Sequence, residues 1–349
     1  MSAPRVSVCI PAHDAGDHLE ETLASVWAQD DHDFEVVVVD DGSSDGTAAI
    51  LAAQTDPRLR VYRHPRNRGQ RRAVGEAVGQ ARGELIKFLD ADDLLRSDCI
   101  GKMARALDDH PSAAFVFSPR EIRVEDPGDP RVAWWLEHLS TLHDGFGGLE
   151  ELNDGTELLR RYLQAGLGGN WVAEPAGVMA RRASLLRAGG YALCVRQNTD
   201  MDLWVRLMAL GDVAFLDEPL YTYRLALSGV TGSNDGGERH WLDTLWIAEG
   251  LIATERFPLP AELRRARRTR LIRALRRAAS DVARRRPGAA RELRDLAAYG
   301  RHRATPPSRR PALHDDLVAR LDPLSSGRPA GAVRERTTEA ETGPATDGR

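Results

Sequence analysis

Short apolar runs alternate with amphipathic stretches through the first hundred residues. Val6-Ser7-Val8-Cys9-Ile10, ended by Pro11, and Glu35-Val36-Val37-Val38-Val39, ended by Asp40-Asp41-Gly42, have the length and β-branched content of strands. Between them Leu19, Leu23, Val26 and Trp27 recur at helical spacing, which predicts a helix over His18 to Ala28. The alternation continues with helix over Thr47 to Gln54, strand over Leu59 to Tyr62, helix over Gln70 to Ala81 and strand over Leu85 to Leu89. Near-continuous apolar strands separated by helices predict an α/β fold, with a parallel sheet covered on both faces. Ligands of such sheets sit beyond the carboxyl ends of the strands, where Pro11 to Asp14, Asp40 to Ser43 and Asp90 to Asp93 all fall.

Beyond a helix over Ile100 to Leu107 and a strand over Ala114 to Ser118, the pattern predicts an irregular stretch from Glu125 to Gly148. Helix is expected over Leu152 to Leu163, strand near Gly177 to Ala180, and helix over Ser184 to Ala188. A helix over Met201 to Ala209 and a strand over Val213 to Phe215 complete this part. From about His240 the chain reads as Arg-rich helices interrupted at Pro258, Pro260 and Pro287, and from Ser325 as a disordered tail. The expected division is 1–235 as the main domain (halves 1–118 and 119–235), 236–324 as a helical appendage and 325–349 as the tail.

Charge adds an asymmetry to this picture. The 349-residue chain has a net charge of −4, yet Ala261 to Arg310 holds seventeen arginines against four acids, so that piece is near +13 and the remainder near −17. An acidic body excludes a nucleic-acid binder as the reading of the whole chain, and leaves the basic appendage free to meet an anionic membrane. No apolar run approaches the roughly 18 residues of a membrane span, and the N-terminus enters a strand without a signal peptide, so a cytoplasmic protein, peripheral on the inner membrane face, is expected. Cys9, Cys99 and Cys194 lie far apart without ligand spacing, which suggests small buried apolar residues in a reducing compartment.

The segment Leu85-Ile86-Lys87-Phe88-Leu89-Asp90-Ala91-Asp92-Asp93 carries the most chemistry, since a strand empties into three carboxylates within four positions. Two readings remain open at this point. Like charges so close are reconciled by a divalent cation bridging to a phosphate, or the acids cap a helix beginning at Asp92 or Asp93. In Asp40 to Thr47, Asp45 or Thr47 suits a helix cap, whereas Asp41 could accept a hydrogen bond from a pyrimidine imide.

Taken together, Pro11-Ala12-His13-Asp14, Val38-Val39-Asp40-Asp41-Gly42-Ser43 and Phe88-Leu89-Asp90-Ala91-Asp92-Asp93 resemble the inverting glycosyltransferases of family 2, which share the GT-A fold. Gly189-Gly190-Tyr191, Asp200-Met201-Asp202-Leu203-Trp204-Val205-Arg206-Leu207 and Glu218-Pro219-Leu220-Tyr221-Thr222-Tyr223-Arg224 extend the similarity over roughly residues 4–230. The resemblance implies a Rossmann-like, mostly parallel sheet and transfer of a sugar from a nucleoside diphosphate sugar (UDP-, dTDP- or GDP-linked). The implied acceptor is a hydroxyl of a saccharide or lipid-linked saccharide in cell-surface polysaccharide synthesis. It further implies that Pro11, Ala12, His13 and Asp41 flank the nucleobase, that Asp90 lies near the ribose or the metal, that Ala91 binds the nucleotide sugar with them, and that Arg72 meets the diphosphate. Asp92, with Asp90, would hold Mg2+ or Mn2+. Asp200 is the candidate base, and a helix N-cap is its competing role.

The chain departs from the family pattern at several positions. Thr199 replaces the Glu of an acidic pair, Asp14 an Asn, and Ala73 stands where Arg-Asn is common. Ala226 takes the place of a His that can join the metal, which leaves a third protein ligand unassigned. Trp134, Trp135, Phe146 and Trp171 form a candidate stacking platform for an acceptor sugar, or else pack. Competing functions on the same pattern are a sugar nucleotidyltransferase, a phosphatase built on Asp-x-Asp, and a catalytically silent sugar-binding module. The first lacks its Gly-rich basic loop after the first strand. The second wants its motif on the first strand.

Overall fold

The computed structural model describes residues 3–139, 142–191, 195, 198–226, 240–253, 257–285 and 289–304. The strands β1 (Val6–Ala12), β2 (Phe34–Asp40), β3 (Leu59–Arg63) and β4 (Leu85–Phe88) stand in the order β3-β2-β1-β4, all parallel. The helices α1 (Leu19–Trp27), α2 (Thr47–Ala53) and α3 (Gln70–Gln80) make the crossovers between them. Alternate side chains of each strand go to opposite faces. Val8, Ile10, Val36 and Val38 pack with Leu19, Leu23 and Val26 of α1, while Cys9, Val37, Val39 and Phe88 pack with Ala73 and Ala77 of α3.

Pro11, expected to end the first strand, lies inside β1. The Cys9 carbonyl accepts from Leu89 N, so every second residue of β1 faces β4, and Pro11 falls on that side beyond the last pair, Cys9 with Phe88. Its missing N–H therefore breaks no ladder bond.

The second half continues the sheet as β4-β9-β6-β10-β8. Its strands are β6 (Ala113–Phe117), β8 (Leu152–Asn153), β9 (Val178–Arg181) and β10 (Asp212–Phe215). β9 runs antiparallel to both β4 and β6, so the sheet is mixed rather than wholly parallel. A small second sheet, β5 (Leu94–Leu95), β11 (Tyr221–Leu225) and β7 (Arg120–Val124), closes over the carboxyl end of β4.

Helix α4 (Cys99–Asp109) follows β5, with Asp98 at its N-cap. No helix starts at Asp92 or Asp93, which overturns the cap reading of the carboxylate cluster. The stretch Glu125 to Gly148, expected to be irregular, contains α5 (Val132–Leu139) and a 3-10 turn at Asp144–Phe146. Leu152 and Asn153, expected as the start of a helix, pair with β10 as β8, and α6 (Gly155–Ala165) begins behind the Asp154 cap, which accepts from Glu157 N. Helices α7 (Arg182–Ala188) and α8 (Thr199–Met208) follow.

Helix α8 is pinned through Trp204, fully buried with ring centroids 5.4 Å from Phe88 and 6.0 Å from Phe115. Its indole N–H donates to Ala173 O at 3.2 Å. Arg206 donates to Asp202 Oδ2 and Gly190 O at 2.6 Å each, which ties the Gly189-Gly190-Tyr191 segment to the same helix. Trp204→Ala should lower stability by about 3–5 kcal/mol. A guanidinium melt would read this as a lower midpoint with unchanged slope; a loss below about 1 kcal/mol would show that the site collapses around the gap.

Three C-terminal helices, α9 (His240–Ala253), α10 (Pro260–Ala283) and α11 (Ala289–Ala304), complete the described chain. Ile247, Ala248 and Leu251 of α9 and Leu263 and Ala266 of α10 share one core with Leu159, Leu163 and Trp204. Among them Glu249 is buried and accepts from Tyr299 Oη at 2.8 Å. Cys9 and Cys99 are buried, as expected of small apolar residues, whereas Cys194, Pro287 and the tail from Ser325 lie outside the described residues.

Candidate functional site

Four loops meet at the carboxyl edge of β1, β2 and β4. The loops after β1 and β2 are laced together: Asp14 N donates to Ser43 Oγ at 3.0 Å, Ala15 N to Thr47 Oγ1 at 2.8 Å, and Gly16 N to Asp45 Oδ2 at 2.8 Å. In return Ser44 N donates to Asp14 Oδ1 at 2.7 Å. Asp14 has φ +47, a left-handed backbone that Asn and Asp tolerate best among residues with a side chain. The N-cap of α2 is Gly46, neither Asp45 nor Thr47, and Asp45 braces the helix start from one residue earlier, accepting from Thr47 N at 3.0 Å and from its hydroxyl at 2.6 Å. Pro11 and Ala12 are buried in the sheet edge and His13 is exposed above them, with Nε2 3.6 Å from Asp14 Oδ2.

Asp41 is only 2 % exposed and accepts three hydrogen bonds, from His64 Nδ1 at 2.5 Å, Arg68 N at 2.8 Å and Gly69 N at 2.7 Å. Its first effect is thus to fix residues 66–69 against the end of β2. Gly42, with φ +76, permits that approach: a Cβ there would stand 2.5 Å from the carbonyl carbon of Arg66.

The residues after β4 make a tight turn, with Asp93 N donating to Asp90 O at 3.2 Å. Thr22 Oγ1 donates to Ala91 O at 3.0 Å. Arg224, buried on β11, clamps the turn from the other side: its N donates to Asp93 Oδ1 at 2.9 Å and its Nε to Asp92 O at 2.7 Å, while the guanidinium meets Glu21 at 2.7 Å and Glu125 at 2.5 Å. Asp90 Oδ1 accepts from Gln70 Nε2 at 3.0 Å. The diphosphate candidate Arg72, two residues further along α3, is exposed.

Two more acids reach the cluster from the second half of the sheet. Because β9 is antiparallel, its start lies at the carboxyl edge, and Glu174 in front of it meets Arg120 Nη1 at 2.6 Å and Tyr221 Oη at 2.7 Å. Both bonds fall on Oε2. Asp200 stands in the first turn of α8, whose N-cap is Asn198, so the cap alternative for Asp200 is overturned. Asn198 N donates to Asp243 Oδ2 of α9 at 3.0 Å, which fixes the helix start.

Burial and mutual repulsion push the acids up. Asp90 is raised well above the ordinary carboxylate range, first by burial and then by Asp92 and Asp200. Asp93 is raised likewise by burial, Asp92 and Asp90, while burial also raises Asp92 against the opposing pull of its own backbone hydrogen bond and then of His18. Asp200 is pushed up to about 7 by burial and by the charge of Glu174. Asp93 Oδ2 and Tyr191 Oη are buried without a hydrogen-bond partner among the described residues. The buried ammonium of Lys87, beneath the cluster, donates to Ala176 O.

This donor set fits a hard divalent cation. It is all oxygen, crowded and desolvated, and no group of three His, Cys, Asp or Glu side chains among the described residues is arranged to hold a metal by itself. Two carboxylates with diphosphate oxygens and water suit Mg2+ or Mn2+.

The aromatic platform is not assembled. Phe146 and Trp171 pack edge-on at 5.4 Å and Trp171 on Tyr162 at 5.2 Å, inside the core cluster, whereas Trp135 packs with Val132 and Leu225 in a separate cluster and Trp134 is exposed on α5. Sequence reasoning missed Glu174, Gln70 and the clamp of Arg224. Only Arg224 carried a signal, as the end of the Glu218 to Arg224 element.

A mixed α/β sheet with its acidic site at the β4 edge is the GT-A arrangement of glycosyltransferases. The model of the family described as Glycosyl transferase family 2 matches residues 7–165. The uncharacterized protein MT1568 of Mycobacterium tuberculosis is 34% identical over 249 residues, covering 71% of this chain and 76% of that protein. The putative teichuronic acid biosynthesis glycosyltransferase TuaG of Bacillus subtilis is 34% identical over 125 residues, covering 35% of this chain and 49% of TuaG, so the match spans about half of that relative. Among solved structures, S. aureus TarS 1-349 in complex with UDP-GlcNAc superposes with a TM-score of 0.61 at 19% identity, covering 86% of this chain and 82% of TarS 1-349, a likeness of fold. The chain belongs to glycosyltransferase family 2 and is a glycosyltransferase.

Proposed function

We propose that the protein is a metal-dependent, inverting glycosyltransferase that moves a sugar from a nucleoside diphosphate sugar to a hydroxyl of a saccharide or lipid-linked saccharide, in cell-surface polysaccharide synthesis. The observation that carries the reading is the convergence of Asp90 and Asp92 with Asp200, from two sequence motifs more than a hundred residues apart, on one carboxyl edge. The similarity to TuaG, a putative teichuronic acid biosynthesis glycosyltransferase, supports the polysaccharide setting.

In this reading Pro11 to His13 and Asp41 border the base, and Asp90 and Ala91 the ribose. Asp92 and Asp90 hold Mg2+ or Mn2+, which neutralises the diphosphate leaving group when bound. Arg72, on an exposed helix face, is free to fold over the diphosphate. Asp200 takes the proton of the acceptor hydroxyl as that oxygen attacks the sugar carbon from the side opposite the nucleotide. Glu174, held by Arg120 and Tyr221 through Oε2, is close enough for its charge to raise Asp200. It supplies the second carboxylate that Thr199 lacks.

Calorimetry with UDP-, dTDP- and GDP-sugars in Mg2+ or Mn2+ tests this. At least one donor should bind with a micromolar to submillimolar Kd that EDTA abolishes, and should be hydrolysed slowly without acceptor. A complete panel with no metal-dependent binding would sink the reading.

A further inference from the structure

Helix α10 presents an outward stripe that the catalytic reading does not use. Arg265, Arg268, Ile272, Leu275, Ala279 and Val282 recur at spacings of three and four along one side, opposite the buried residues Leu263, Ala266, Ala274 and Ala278. Ile272, Leu275 and Val282 are 40%, 53% and 46% exposed, an unusual concentration of branched apolar side chains on one solvent-facing helix. The arginines divide between the two sides. Arg267 and Arg270 turn inward to Glu249 and to Gly166 O, and Arg277 meets Asp281. Arg264, Arg265, Arg268 and Arg276 are exposed, with no ion pair among the described residues.

With eight arginines against Glu262 and Asp281, α10 has a net charge near +6. Two copies packed through this stripe would set arginine against arginine, and a protein partner would have to bring matching acids. An anionic lipid surface answers both features at once, taking the apolar side chains at the acyl boundary and the guanidinium groups at the phosphates. No described helix is long and apolar enough to cross a membrane, so a contact of this kind lies on the surface.

We infer that the outer face of α10, centred on Ile272, Leu275 and Val282 and flanked by Arg264, Arg265, Arg268 and Arg276, docks the enzyme on an anionic phospholipid membrane. The face is separate from the carboxylate site, so lipid binding stands or falls independently of the donor chemistry. Each arginine engaged near such a surface contributes about fivefold to partitioning, an effect that salt screens.

Co-sedimentation of the full chain with vesicles tests it. Vesicles of phosphatidylcholine containing about a third phosphatidylglycerol should bind the protein at least about tenfold more tightly than phosphatidylcholine alone, less so at high salt. Ile272→Glu with Leu275→Glu should reduce that binding about tenfold or more, and Arg265→Gln with Arg268→Gln and Arg276→Gln likewise, while circular dichroism and Tm stay unchanged. Equal binding to both vesicle types, or unchanged binding by both variants, would overturn the inference. So would a lipid-free dimer broken by Ile272→Glu with Leu275→Glu, which marks a subunit interface. A Tm drop beyond about 3 °C without lipid would mean that the face is covered by the chain itself.

Discussion

Asp92→Asn should abolish metal-dependent donor binding and donor hydrolysis together, while making the protein more stable in the absence of metal. The two effects have one cause. Asp92 is half-buried beside Asp90 and the buried Asp93 and raises the pKa of both, so its charge costs folding free energy wherever the cluster is ionised. The folded state holds protons on these acids that the unfolded chain has released, so the cluster's contribution to stability is greatest below about pH 4 and falls as pH rises through the raised values. An amide at 92 removes one of the repelling charges, and at pH 7.5 Tm should rise roughly 2–4 °C for each ~1 kcal/mol relieved. The gain should vanish at low pH. The same charge is what a cation with a diphosphate needs, so calorimetry should show donor affinity independent of Mg2+ and at least about a hundredfold weaker. Asp92→Asn that kept metal-dependent binding would move the metal site elsewhere.

Asp200→Asn should cut transfer by about 10²- to 10⁴-fold while donor Kd stays within a few-fold. Asp200 sits at the start of α8, held by Asn198 N on Asp243 and by the packing of Trp204, so an isosteric amide leaves the backbone in place. As a base it acts only when ionised. With its pKa pushed up to about 7, kcat/KM of the native protein should climb with pH through about 7 and level above. That limb should be missing from the residual activity of the variant. Donor affinity falling as steeply as turnover would make Asp200 structural.

Much of this site is legible along the chain. Apolar runs ending in Pro11, Asp40 and Asp90 stop within one or two residues of the strand ends, and parallel strands joined by helices must deliver those ends to one edge. Asp41 and the Asp90 to Asp93 turn could therefore be placed together without coordinates. The cap alternatives could not be settled that way, because a carboxylate before an amphipathic run reads the same whether a helix starts at once or, as at Cys99, six residues later. The aromatic residues between 134 and 171 misled for a related reason: a Trp in a core and a Trp in a cleft have the same sequence signature.

By itself the sequence determined the alternation of strands and helices, the family and the acids at the strand ends, since these depend on local periodicity and on loop residues that follow each strand. Only the tertiary structure decided that β9 reverses, which carries Glu174 to the edge where Asp90 and Asp200 already stand. It also decided that Arg224 clamps the Asp92 turn, across a sheet whose pairing no local pattern encodes. Strand direction and cross-sheet partners are fixed by how the whole set of apolar faces is buried, so the charges that set the behaviour of this site come from residues distant in the chain.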